Sequence, residues 1–283
     1  MLPLISRLLA RLSLPTLHWL GACLGRILFW ISSSSAAIQR RNLLQSNLAQ
    51  TNLEAMLRAN AEESGKSLIE TLAIWQQNHE VLLQQVKQVY GWEQVNAALE
   101  AKKGVIFLTP HMGCFEITSI YYGSLHPVTV MYRPSKIKWL QNMMDTGRAR
   151  SGVTLAEANT AGVRKLMHAL KRGEAIGILP DQIPAEGEGE WAPFFGKPAY
   201  TMTLASKLAV KTGATVMMAF GERLADGLGY ALHLTKVDSI ATAALLNQAI
   251  EKQIAQKPEQ YLWQYNRYKM RRHAMQKLDA PTD

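Results

Sequence analysis

Two cysteines in 283 residues cannot staple a chain of this length, which excludes a disulfide scaffold. Cys23 and Cys114 also sit in unlike surroundings, which suits a reducing, cytosol-facing location. No run of 18 or more uncharged apolar residues occurs, so a polytopic membrane protein is not expected. No Gly-x-Ser-x-Gly block is found, so no enzyme serine of that kind stands ready as a nucleophile. No residues carry metal-ligand spacing, and no cofactor is expected. Most unusually, no acidic residue precedes Glu54.

What is present is a 48% hydrophobic chain, apolar enough to exclude disorder and long enough for one large domain or two small ones. It holds 31 Lys and Arg against 22 Asp and Glu, a net charge of +9. Charge alone leaves an acidic carrier protein, an anionic lipid or a nucleic acid as partner. Aromatic and basic residues interleave only from Trp263 to Arg272, and no nucleic-acid-binding motif is present, so nucleic acid is set aside.

Arg7, Arg11, Arg26, Arg40 and Arg41 place five positive charges ahead of the first acid. Leu4, Ile5, Leu8, Leu9 and Leu12 follow helical spacing, with Arg7 and Arg11 on another side. After Pro15, the stretch from Thr16 to Ile31 is rich in Leu, Trp and Phe but broken by His18 and Arg26. A cleaved signal peptide wants an unbroken apolar core and a better cleavage site than Ser34–Ala37. A spanning helix is hampered by Arg26, although its stem can snorkel. An anchor lying in the interface, arginines on anionic headgroups, fits best. A plain pair of core helices is the alternative. Gly21 and Gly25 form a GxxxG, weak evidence outside a full apolar span. From Leu44 to Ala98 the pattern is helical, and Gly65-Lys66-Ser67 within it reads as a surface turn of a helix, since no glycine-rich loop or strand precedes it.

At Gly104 the chain changes character. Val105–Leu108, Val128–Tyr132, Ala175–Leu179, Ala214–Ala219 and Tyr230–Val237 read as strands. Helical patterns fall at Leu140–Arg150, Thr160–Lys171, Thr201–Lys211 and Thr242–Gln256, with Ala185–Glu190 an acidic loop. The alternation predicts an α/β fold, a mainly parallel central sheet flanked by helices, over residues 33–283, behind a membrane-associating helical segment at 1–32.

In such sheets chemistry collects beyond the carboxyl ends of the strands. His111, Cys114 and Glu116 follow the first strand, Arg133 the second, and Asp181 and Gln182 the third. On a continuous helix His111 and Glu116 would not share a face. If His111 instead ends a strand-to-helix turn, with Gly113 allowing the bend, Glu116 can fold back onto its imidazole. A carboxylate on one ring nitrogen leaves the other free to take a proton. The alternative is a His and a Glu at a turn with no role. Cys114 reads as a small buried hydrophobe rather than a nucleophile.

Thr109-Pro110-His111-Met112-Gly113-Cys114-Phe115-Glu116 resembles the H-x4-D/E block of the glycerolipid acyltransferase superfamily. More narrowly it is similar to the H-x-G-x-x-E form of the lipid A late acyltransferases, the lauroyl and myristoyl transferases of Gram-negative bacteria. The likeness continues through Tyr132-Arg133-Pro134, Arg148-Ala149-Arg150-Ser151-Gly152, Leu179-Pro180-Asp181-Gln182, Pro193-Phe194-Phe195-Gly196 and Tyr261-Leu262-Trp263. It departs at Tyr265, where the family commonly shows His.

The resemblance implies a glycerolipid-acyltransferase-like fold and an O-acyltransferase that moves a fatty acyl chain from acyl carrier protein or acyl-CoA to a hydroxyl of a lipid A precursor. It places the enzyme on the cytoplasmic face of the bacterial inner membrane. His111 is expected as general base and Glu116 as the carboxylate that steadies it, with backbone N–H groups near Gly113 holding the oxyanion. Arg133 and Arg148 are expected to grip the anionic glycolipid, each with a plain ion pair as the alternative. Asp181, with Gln182, is expected at the substrate, organising the arginines or capping a turn, and Phe194 and Phe195 are expected to wall an acyl-chain pocket unless they are plain core. Another glycolipid, an aminolipid or an aryl-polyene lipid is the alternative acceptor. A basic peripheral membrane-binding protein is the alternative outside enzymes.

Overall fold

The computed structural model describes residues 2–49 and 51–269. The first half is helical: α1 (Leu2–Leu9), α2 (Leu14–Ile31), α3 (Ser33–Ser46), α4 (Leu53–Ile74) and α5 (His79–Gln85) lead into β1 (Val86–Tyr90) and α6 (Trp92–Glu100). Then come β2 (Val105–Leu108), α7 (Phe115–Leu125), β3 (Val128–Tyr132), α8 (Lys138–Arg148), β4 (Val153–Glu157), α9 (Thr160–Lys171) and β5 (Ala175–Ile178). A hairpin of β6 (Gly189–Phe194) and β7 (Lys197–Met202) precedes α10 (Leu204–Thr212), β8 (Thr215–Arg223), β9 (Tyr230–Val237) and α11 (Ala243–Ile254).

Seven strands form one sheet in the order β1-β9-β8-β2-β5-β3-β4, parallel at every pairing except β8 with β9. All four residues of β2 and all four of β5 are buried, as strands covered on both faces require. Ile106 and Leu108 pack with Leu166 of α9 and Ile250 of α11 on one face, and Val105 and Phe107 with Val95 of α6 and Tyr122 of α7 on the other. This is the expected α/β architecture. The five expected strands are all present, and β1, β4 and the β6–β7 hairpin add to them. Val86–Tyr90 lies within the stretch whose pattern predicts helix but forms a strand, and the end of the acidic stretch 185–190 enters β6. Thr201 and Met202 belong to β7 rather than to the helix that follows.

The N-terminal segment is built into the fold. Leu14 and Leu17 of α2 are buried with Ala73, Ile74 and Tyr230, while Trp19, Trp30 and Ile31 on the same helix are exposed. By length and composition α2 can cross a membrane, and a third of it is buried inside the protein. A boundary at residue 32 would cut through this packing, so removing residues 1–32 is expected to unfold the neighbouring core rather than release an intact sheet domain.

Gly21 and Gly25 bring α2 against Gly65 of α4 at backbone contact. A Cβ on Gly25 would lie 2.0 Å from the Ala61 carbonyl oxygen, and one on Gly65 would lie 2.0 Å from that of Gly21. The GxxxG therefore serves a contact within the chain, and Gly65-Lys66-Ser67 lies inside α4 with Gly65 buried, not in a surface turn or a phosphate loop. Gly25→Val forces the two helices apart, and the overpacking should lower the melting temperature by about 5–10 °C in a circular-dichroism melt. An unchanged melt would mean that the pair separates freely.

Where the helices meet, the Glu70 carboxylate accepts from His18 Nε2 at 3.1 Å and from Arg223 Nε at 2.9 Å. Burial alone would raise its pKa, but the Arg223 charge and the hydrogen bonds from His18 and Arg223 more than offset that. The group is held at about 2, against an ordinary 4.5. A depressed carboxylate stabilises the fold fully above its unfolded pKa, and that contribution disappears as pH falls through the folded value. Urea midpoints should therefore fall from pH 4.5 towards pH 2 less steeply in Glu70→Gln than in the wild type. Parallel curves would remove Glu70 as the source.

Candidate active site

The parallel register of β2 and β5 decides which carboxylate meets His111. Leu108 pairs with Ile178, so His111 and Asp181 stand three residues beyond the same rung. The ladder continues one step further, Thr109 N–H donating to Ile178 O at 3.0 Å. The two loops then run side by side. Asp181 Oδ1 lies 2.9 Å from His111 Nδ1, and Asp181 Oδ2 accepts the His111 backbone N–H at 3.0 Å. Gln182 Nε2 lies 3.1 Å from His111 Nε2.

Asp181 is almost wholly buried. Burial alone would push its carboxyl up, but the charge of His111 and the hydrogen bonds from the His111 ring and backbone outweigh it and hold it below the usual carboxylate range. An ionised carboxylate on Nδ1 requires the proton on Nδ1. The Nε2 lone pair is then free to accept, from the Gln182 amide here or from an incoming hydroxyl.

This corrects the expected pairing. His111 does end a strand-to-helix turn, and Gly113 does take the bend at φ 56°. Glu116, in the first turn of α7, nonetheless turns to Arg148 at the end of α8. Arg148 Nε donates to Glu116 Oε1 at 2.9 Å and to Oε2 at 3.0 Å, and Nη2 donates to Oε1 as well. The guanidinium also lies over the Trp75 ring, 5.3 Å from its centroid. Arg148 is thus spent largely on Glu116, while Arg133 is exposed and makes no hydrogen bond among the described residues. Arg150 donates to the carbonyls of Ile74, Gln77 and Gly147 and so ties α8 to the end of α4.

Some of the expected oxyanion donors are taken, while the N–H groups of Phe115 and Glu116 at the start of α7 make no hydrogen bond among the described residues. The N–H groups of Met112, Gly113 and Cys114 donate to Pro110 O, Gln260 O and Gly221 O at 2.7, 2.9 and 2.8 Å. Cys114 is buried, and burial pushes its thiol well above the ordinary value, as an inert packing residue requires.

A cavity of about 730 Å³ opens at His111. Phe115, Thr118, Ser119 and Tyr122 line it at helical spacing along one face of α7. Opposite them Phe107, Val130 and Ala219 supply apolar sheet surface, joined by Gly177 of β5. The Tyr122 hydroxyl is buried without a partner among the described residues. Glu116, Arg133, Arg148 and Gln182 border the same space. Phe194 and Phe195, expected to wall an acyl pocket, do not border this cavity. Phe194 is 1% exposed beneath Arg267, and Phe195 packs against Trp263.

Several residues that shape the turn carried little signal. Leu262 N–H donates to His111 O at 3.0 Å, and Met112 bridges to Tyr261. Tyr265, the departure from the family pattern, accepts the Ile183 N–H at 2.9 Å and so braces the Asp181–Gln182 loop. Only its distance in sequence hid that role. The basic run reaching Arg272 continues past the described residues, so Met270, Arg271 and Arg272 lie outside them.

The family model of the bacterial lipid A biosynthesis acyltransferases matches residues 4–270. The chain is 28% identical over 277 residues to the lipid A biosynthesis lauroyltransferase of Escherichia coli (strain K12), covering 93% of this chain and 89% of that protein. It is 28% identical over 271 residues to the lipid A biosynthesis palmitoleoyltransferase of the same organism, covering 92% and 87%. A lipid A biosynthesis acyltransferase of Haemophilus influenzae is 26% identical over 256 residues, covering 85% and 79%.

Proposed function

Because the chain belongs to the bacterial lipid A biosynthesis acyltransferases, we propose that it transfers a fatty acyl group from a thioester, acyl carrier protein or acyl-CoA, to a hydroxyl of a lipid A precursor. The observation that carries the reading is the buried Asp181 carboxylate on His111 Nδ1, with Nε2 at the head of a largely apolar cavity.

The acceptor hydroxyl displaces the Gln182 amide from Nε2 and gives its proton to that nitrogen as its oxygen attacks the thioester carbonyl. Asp181 steadies the imidazolium that results. The tetrahedral intermediate expels the thiolate, which takes the proton back from Nε2, so the products are an ester and a thiol. With the Met112, Gly113 and Cys114 amides occupied, the developing negative charge falls to Arg148, whose Nη1 makes no hydrogen bond among the described residues, beside the open N–H groups of Phe115 and Glu116. Glu116 holds that guanidinium in place. The acyl chain lies along the α7 face from Phe115 to Tyr122, and Arg133 at the rim meets a phosphate of the acceptor. The exposed apolar side of α2, with the exposed Arg7 and Arg11 ahead of it, seats the enzyme on the cytoplasmic face of the inner membrane, where this acceptor resides.

Purified enzyme in mixed micelles, supplied with acyl carrier protein thioester and a lipid A precursor, should yield a product heavier by one acyl chain in mass spectrometry, and His111→Ala should yield none. Transfer to another lipid hydroxyl with none to the precursor would overturn the assignment of acceptor. Undiminished transfer by His111→Ala would overturn the base.

A further inference from the structure

A cluster of buried charges lies behind the His111 turn and takes no part in the chemistry above. Arg223, at the end of β8, is 3% exposed. Its Nη1 donates to Glu63 Oε2 at 3.1 Å, and its Nε and Nη2 donate to Glu70 Oε1 at 2.9 and 2.5 Å. Glu70 Oε2 takes the Tyr230 hydroxyl at 3.2 Å and His18 Nε2 at 3.1 Å. One further guanidinium bond leaves this cluster: Nη2 donates to the Gly113 carbonyl oxygen at 2.6 Å.

Gly113 is thereby held from both sides. Its N–H donates to Gln260 O, while the Gln260 side chain accepts the Arg223 N–H at 3.0 Å and donates to Arg223 O at 2.9 Å. Arg223 and Gln260 form one unit, and both polar groups of Gly113 end on it. The backbone there has no slack, because a Cβ on Gly113 would stand 2.1 Å from Gly221 O.

Replacing a buried ion cluster with apolar side chains is often neutral or stabilising, so stability alone gives no reason for one here. A charged donor on a backbone carbonyl does have a use. It is shorter and stronger than a neutral one, and it fixes the carbonyl side of a peptide plane whose other side, the Cys114 N–H, already donates to Gly221 O of β8. We propose that Arg223, neutralised by Glu63 and Glu70, is a positioning residue that fixes the Gly113 peptide and through it the aim of His111. The proposal rests on the reading of His111 as base for its kinetic arm only. A misplacement of about 1 Å at the reacting groups costs on the order of a hundredfold in rate.

Arg223→Lys keeps a cation between the two carboxylates but cannot also reach Gly113. Its kcat should fall by about a hundredfold with KM within twofold of wild type. Amide exchange, followed by mass spectrometry on the peptide spanning residues 110–116, should quicken about tenfold. Ile250→Ala, a core truncation in α11, is the control: it should lower the melting temperature at least as far while leaving kcat and that peptide's exchange unchanged. Folded Arg223→Lys with wild-type kcat overturns the proposal, as does unchanged exchange at 110–116, or a kcat loss that Ile250→Ala shares. Should the wild type transfer no acyl group, the functional reading fails, and the exchange comparison alone still decides whether Arg223 holds the turn.

Discussion

Asp181→Asn is expected to lower kcat by about 10³–10⁴-fold, the scale set by forcing a catalytic histidine into the wrong tautomer. The reason lies in the two bonds that the carboxylate makes. One oxygen accepts the His111 backbone N–H and the other faces Nδ1. An asparagine must keep its carbonyl on the backbone N–H, since its amide cannot accept there, and so presents NH₂ to Nδ1. Nδ1 then becomes the acceptor, the ring proton moves to Nε2, and the nitrogen facing the cavity can no longer take a proton. The loop geometry is kept, so KM should change little. The check is steady-state kinetics with a melting curve that stays near wild type. Retention of a tenth of the activity would mean that the ring finds its proton acceptor without Asp181.

Arg148→Met should be the most damaging single change to stability at the site, at about 3–5 kcal/mol, because it strands the buried Glu116 carboxylate. Adding Glu116→Gln removes the stranded charge and should return a large part of the loss in urea unfolding, a coupling of about 1–3 kcal/mol. Activity should not return with stability. If Arg148 meets the oxyanion, its loss costs about 10²–10³ in kcat whatever stands at 116. A stable double variant turning over at the wild-type rate would make the pair a structural brace and nothing more.

The fold was largely legible because buried parallel strands write themselves as short apolar runs, as in Val105–Leu108 and Ala175–Ile178. β1 was not, since Val86-Lys87-Gln88-Val89-Tyr90 is an edge strand with no buried side chain to give a period. β4 hid behind the Ser151–Gly152 turn, where only Val153 and Ala156 are buried. At the site, residue types and strand ends were readable, and His111, Glu116, Arg148, Asp181 and Gln182 do border or support one cavity. The partnerships were not. Nearness in sequence favoured His111 with Glu116, whereas strand register, a property of two distant segments, joins His111 to Asp181. The same limit hid Arg223 and Gln260, whose task appears only once β8 and the segment after α11 meet the turn. Phe194 and Phe195 misled because an aromatic pair looks the same in a core as in a tunnel.

The bridge from Met112 to Tyr261, with the bonds from Gly113 to Gln260 and from Leu262 to His111, also bears on the order in which the molecule is made. The ribosome delivers the His111 turn long before its clamp. Until residues 260–265 emerge, the Gly113 N–H, the His111 carbonyl and the Ile183 N–H lack the acceptors and donors they have in the finished protein. Contacts so distant in sequence close slowly, after the local helices have formed. A nascent or prematurely terminated chain can therefore carry every residue of the His111–Asp181 pair and still have no assembled site. Activity then depends on a segment some distance from the residues that perform it, and a fragment that stops short of residue 260 is inert however well its helices and strands form.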